Sequence, residues 1–92
     1  MSDRFEVEGH EVTTEVAKAD VVRYFGRMAR LPDGDAFAVA KWEADCAWLR
    51  EVVTPAEVVD ELHPITIGAL VTTLISPPDG HTVGKSAITR RS

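Results

Sequence analysis

The spacing of apolar residues changes along the chain, and each change marks a new element. Over residues 4–15 the pattern alternates. Phe5 and Val7 stand between Arg4, Glu6 and Glu8, and Val12 resumes the rhythm past Gly9-His10. A period of two belongs to a half-buried strand, so this stretch predicts a β-hairpin. Gly9-His10 is placed as its turn, with glycine at the first central position of a type II′ geometry. The outward face would carry Glu6, Glu8, Glu11 and Glu15. From Asp20, a plausible N-cap, the spacing becomes helical. Val21, Tyr24, Phe25 and Met28 share one face, and Arg23, Arg27 and Arg30 take the opposite one. Gly26 weakens this helix by about 1 kcal/mol relative to alanine and would allow another helix to come close. Leu31-Pro32-Asp33-Gly34 reads as a turn.

Asp35 then opens the longest helical pattern, AFAVAKWEADCAWLREVV. Phe37, Ala40, Ala44, Ala47 and Trp48 form a stripe with Val52 beside it. Trp42, Cys46 and Leu49 form a second apolar flank, leaving a narrow polar remainder of Glu43 and Arg50. A helix that is apolar on more than one side lies centrally in a bundle or serves a partner. A chain of 92 residues has little material to cover both flanks. One flank is therefore expected to meet another subunit or another protein.

The stretch from Thr54 to Ser76 has the clearest local grammar. Thr54 is placed to cap a helix, Pro55 suits its first position, and Glu57 stands where a capping box wants it. Val58, Val59 and Leu62 share a face. His63-Pro64 breaks that helix, and Pro64 opens another in which Ile67, Leu70, Val71 and Leu74 align. Pro77-Pro78 and Gly80 end the pattern. The expected fold is mainly α with a short N-terminal β-hairpin, in the α+β class. Three to four helices would form a small bundle over residues 1–76, one domain, followed by a flexible tail over 77–92 with a candidate strand at His81–Thr89.

Composition changes this picture little: 45% of residues are hydrophobic and 27% charged, as in ordinary globular domains. No apolar run is long enough to span a membrane, and MSDRFEVEGH lacks the core of a signal peptide. A cytoplasmic location is expected, and a single cysteine, Cys46, leaves no internal disulfide. The net charge of −5 is uneven, with Lys85, Arg90 and Arg91 gathered at the C-terminus. An acidic body repels phosphates and argues against general nucleic-acid binding.

No constellation points to catalysis, and no cofactor or metal is expected. Gly84-Lys85-Ser86 resembles the end of a phosphate-binding loop, but the glycine such a loop needs would fall on Asp79. His10, His63 and His81 are too scattered to pair as zinc ligands. Cys46 lies among alanine and tryptophan, where a buried structural thiol is the simpler reading. Asp60-Glu61 and Asp33/Asp35 read as solvated charges. Two surfaces have a functional reading beside a structural one. Arg23, Arg27 and Arg30 are either a solvated face or a stripe for an acidic partner, which could be the protein's own hairpin. Trp42, Cys46 and Leu49 are either core or a protein contact, where tryptophan is a favoured anchor.

The order of elements resembles the small tail assembly chaperones of long-tailed bacteriophages. The likeness is carried by the turn Val7-Glu8-Gly9-His10-Glu11-Val12, the helix begun by Asp20, the long helix after it, and the Val53–Leu62 segment VTPAEVVDEL that leads into a last apolar helix. It departs from the family at Pro64-Ile65-Thr66, where an acidic or polar residue is usual. The resemblance implies a non-enzymatic protein in the host cytoplasm that coats a long, hydrophobic, helical tape measure protein and associates with itself. Trp42, Cys46, Leu49, Arg23, Arg27 and Arg30 would then be partner-binding residues. The alternative is a small acidic phage-borne inhibitor or regulator that presents its hairpin to a larger host complex.

Overall fold

The computed structural model describes residues 2–75 and 88–91. Alternation in the N-terminal stretch does produce a hairpin, β1 (Ser2–Val7) with β2 (His10–Glu15). Phe5 pairs with Val12, and Phe5, Val7, Val12 and Thr14 all face inward. Thr14 is polar, but its hydroxyl donates to the carbonyl of Asp3, its cross-strand partner, at 3.5 Å.

The turn differs from the expected one. It is centred on Glu8-Gly9, and both residues have positive φ, 50° and 83°. Paired positive φ values belong to type I′, whose twist matches that of the flanking strands. Val7 opposite His10 fixes this register and keeps Val7 on the core side with Phe5.

Two short strands complete an antiparallel sheet of order β3-β2-β1-β4. β3 is Val53–Thr54, paired with Thr13 and Thr14. β4 is Ile88–Arg91, paired with residues 4–7 of β1. Part of the expected C-terminal tail is thus strand, lying on the otherwise open edge of β1. The remainder of that tail, including His81, Gly84-Lys85-Ser86 and most of the candidate strand, lies outside the described residues.

Helix α1 (Lys18–Met28) begins three residues earlier than the Asp20 cap implied. Asp20 instead sits in the first turn, where its carboxylate accepts the Ala17 backbone N–H at 2.9 Å. That bond satisfies a donor left open at the helix start. Gly34, with φ of 79°, turns the chain into α2 (Ala36–Val52). Asp35 does precede α2, but its side chain makes no capping bond.

The segment after β3 corrects another expectation. Ala56–Glu61 is a 3-10 helix begun by Pro55, not an α-helix capped by Thr54, which belongs to β3. Its inward face is as expected, with Val58, Val59 and Leu62 buried. α3 (Pro64–Ile75) starts at Pro64, and His63 caps it by accepting the Ile65 N–H on Nδ1 at 3.1 Å.

The core lies between the sheet and the helices. Phe5, Val7 and Val12 meet Trp48, Leu49 and Val52 of α2, together with Val59, Ile67, Leu70 and Val71. Trp48 is wholly buried, and its indole N–H donates to the Asp20 carbonyl at 3.0 Å, joining α2 to α1. Fully burying side chains of this size contributes about 1.5–3 kcal/mol each.

Candidate protein-binding site

α2 is buried only in its second half. Its inward residues are Asp45, Cys46, Trp48, Leu49 and Val52, and Ala36–Val39 is exposed on every side. The protruding start of the helix carries Phe37 at 42%, Val39 at 58% and Trp42 at 42% exposure. On α1, Val22 and Phe25 are 64% and 54% exposed. Phe25 was expected on the buried face, yet only Tyr24 is fully enclosed, with Val21 and Met28 partly so. Tyr24 takes the inward position because its ring packs on Trp48, centroids 5.2 Å apart. Phe25 meets the Tyr24 ring edge-on at 5.8 Å and turns its other side outward.

The expected flank of α2 is divided by the fold. Leu49 is a core residue with no exposure, so it is not available to a partner. Trp42 is at the surface and Cys46 lies beneath it. Together with Glu43, Arg50, Val59 and Asp60 they line an open cleft of 280 Å³ between α2 and the 3-10 helix. Arg50 and Asp60 form an ion pair that ties one wall to the other. Burial pushes the Cys46 thiol above its ordinary range, so the group stays protonated at neutral pH.

The arginine stripe lies at the surface, but two of its members are engaged in ion pairs. Arg23 and Arg27 both reach across to Glu51 of α2, at 2.6 and 3.0 Å. Arg23 also pairs with Asp20 at 2.9 Å. The hydrogen bond from Arg27 holds the Glu51 carboxyl below its usual range. These two arginines link α1 to α2 through ion pairs at the surface. Arg30 lies beyond the end of α1 and is exposed.

Two polar arrangements were not anticipated. Asp45 is 2% exposed and accepts from the Tyr24 hydroxyl at 2.9 Å and from Lys41 at 2.8 Å. The spacing of Lys41 and Asp45 by four residues was a signal for the pair, but nothing local pointed to Tyr24. Burial raises the Tyr24 phenol far above its ordinary range, and the Asp45 bond adds to the effect. The second arrangement takes Glu8 out of the acidic hairpin face. Its carboxylate accepts the His63 N–H at 3.0 Å, and hydrogen bonds from Thr66 and His63 lower its pKa.

Among the described residues, no group of His, Cys, Asp or Glu is arranged to hold a metal ion, and no helix is long and apolar enough to cross a membrane. What this geometry offers chemically is an apolar, tryptophan-bearing surface with a small polar-rimmed cleft. In comparisons with known proteins, no family model, curated protein or solved structure matches the chain.

Proposed function

We propose that the chain is a non-enzymatic protein-binding protein whose α1–α2 hairpin covers an apolar helical partner, in the manner of a phage-type tail assembly chaperone acting in the host cytoplasm. One observation carries this reading. Of the six large hydrophobic side chains exposed among the described residues, five stand on these two helices: Val22, Phe25, Phe37, Val39 and Trp42. Single exposed apolar residues are ordinary, whereas apolar residues gathered into an exposed patch mark an interaction surface. Covering apolar surface stabilises a complex by roughly 25 cal/mol per Å² before the costs of association. The acidic charge of the chain would keep such a complex in solution.

Co-expression with a long amphipathic helical protein of the tape measure type tests the proposal. The wild-type chain should hold that protein in the soluble fraction and co-purify with it. Phe37→Asp and Trp42→Asp should each abolish this while leaving the circular dichroism of the domain intact. Retention of binding by both folded variants refutes the reading, as does failure of the wild-type chain to bind.

The inhibitor reading keeps one supporting observation. Glu6 and Glu11 lie directly opposite each other across β1 and β2, a like-charge placement that weakens a sheet. With Glu8 engaged at His63, that surface would consist of Glu6, Glu11 and Glu15. Reversing the charge of Glu6 and Glu11 should abolish inhibitor-type binding and spare binding through the helices.

A further inference from the structure

We infer that the cleft beneath Trp42 is the anchor pocket of this surface, and that it takes one apolar side chain of a partner helix flanked by a lysine or arginine. The inference rests on the protein-binding reading and adds the chemistry of the contact. At 280 Å³ the cleft falls below the roughly 300–1,000 Å³ of small-molecule pockets, a size that suits a single side chain. Trp42, Cys46 and Val59 supply its apolar lining. The Arg50–Asp60 ion pair braces α2 against the 3-10 helix, so the walls stand ready before anything binds.

Charge selects the neighbour of the inserted group. Arg50 is neutralised by Asp60, whereas Glu43 has no ion pair among the described residues. Among the described residues, the cleft therefore carries one uncompensated negative charge beside an exposed indole face. An ionised carboxylate only accepts hydrogen bonds, and an indole face attracts cations. Both features favour a basic side chain next to the inserted apolar one. Both disfavour an acidic one, and the chain's own net charge of −5 acts in the same direction. Energetic anchors of protein contacts have this form, an aliphatic or aromatic group in a pocket ringed by polar residues.

The test uses the whole chain and a synthetic alanine-based helical peptide carrying one leucine with a lysine four residues later. The readout is the pair of indole N–H resonances, with that of Trp42 identified by its loss in Trp42→Phe. The leucine–lysine peptide should shift the Trp42 resonance and leave that of Trp48 in place. Replacing the peptide lysine by glutamate should weaken binding by roughly threefold or more at low salt, and Glu43→Gln should reduce that difference. Equal affinity for the two peptides overturns the inference, as does an unmoved Trp42 resonance at millimolar peptide. A shift of Trp42 that follows protein concentration without peptide assigns the cleft to a second copy and likewise overturns it. If Phe37→Asp abolishes capture of the long helical protein while Trp42 ignores the peptides, the cleft assignment falls and the hairpin reading stands.

Discussion

The Glu8 carboxylate, on the tip of the β-hairpin, accepts the backbone N–H of His63 at 3.0 Å across 55 positions of sequence. With the Thr66 hydroxyl on the same carboxylate, the hairpin turn closes over the start of α3. Donors at a helix start have no intrahelical partner, and here a distant side chain serves them. Glu8 can do so because the turn falls at Glu8-Gly9 and not one residue later.

Removing this tie should destabilise the domain without touching the helical surface. Glu8→Ala should lower stability by about 1 kcal/mol in urea denaturation, the typical cost of a lost cap. The pH dependence has a definite sign. The folded-state pKa of Glu8 is depressed, so its contribution is present above the ordinary glutamate range and disappears as pH falls through the depressed value. Wild-type stability should therefore fall more steeply on acidification than that of Glu8→Gln.

Tyr24 and Asp45 form the second long-range tie. Tyr24→Phe leaves a buried carboxylate with Lys41 as its remaining hydrogen-bond donor, and the expected loss is about 1–3 kcal/mol. Alkali gives an independent check. The folded pKa of Tyr24 is raised, so its contribution is complete below the ordinary tyrosine range and is lost as pH rises through the folded value. The chain holds one tyrosine, so tyrosinate absorbance follows this group alone. Its titration should be displaced upward in the native state, and Tyr24→Phe should flatten the alkaline loss of stability.

How much of this was legible in the sequence depended on the range of the interaction. The hairpin, the positions of α1 to α3 and the inward faces of Val58, Val59, Leu62, Ile67, Leu70 and Val71 follow from local periodicity, and the fold bears them out. What escaped depends on contacts distant in sequence. Helical spacing alone made Phe25 equivalent to Tyr24, and only the Trp48 ring and Asp45 carboxylate decide which turns inward. The arginine stripe was visible, but Glu51 lies on another helix, so its clamp on Arg23 and Arg27 was not. Of the candidate flank, Trp42 remained at the surface while Leu49 joined the core, because α2 is covered only in its second half.

That half-covered helix makes the two tryptophans behave oppositely. Trp48 is wholly enclosed, and Trp48→Ala should cost about 3–5 kcal/mol, a large fraction of the stability of so small a domain. Trp42→Ala should cost about 0.5–1 kcal/mol and leave the fold cooperative. Quenching of fluorescence by iodide separates them. Trp42→Phe should give emission that iodide barely touches, and the wild-type chain should retain a quenchable component.

Cys46 provides a chemical probe of the cleft that needs no partner. It is 5% exposed at the base of the groove under Trp42, and burial raises its pKa. The thiolate is the reactive form, so a small disulfide reagent should label the native chain more slowly than a free cysteine at neutral pH. Trp42→Ala removes one wall and should speed labelling while the fold persists. Val59→Ala opens the opposite wall and should do the same, with a stability loss of roughly 1–3 kcal/mol from the apolar atoms removed. Rates that rise only in parallel with global unfolding would instead mean that reagent reaches the thiol by opening of the whole domain. Rates that rise in the folded variants identify the cleft as the route, and the leucine–lysine peptide should then slow labelling by occupying it.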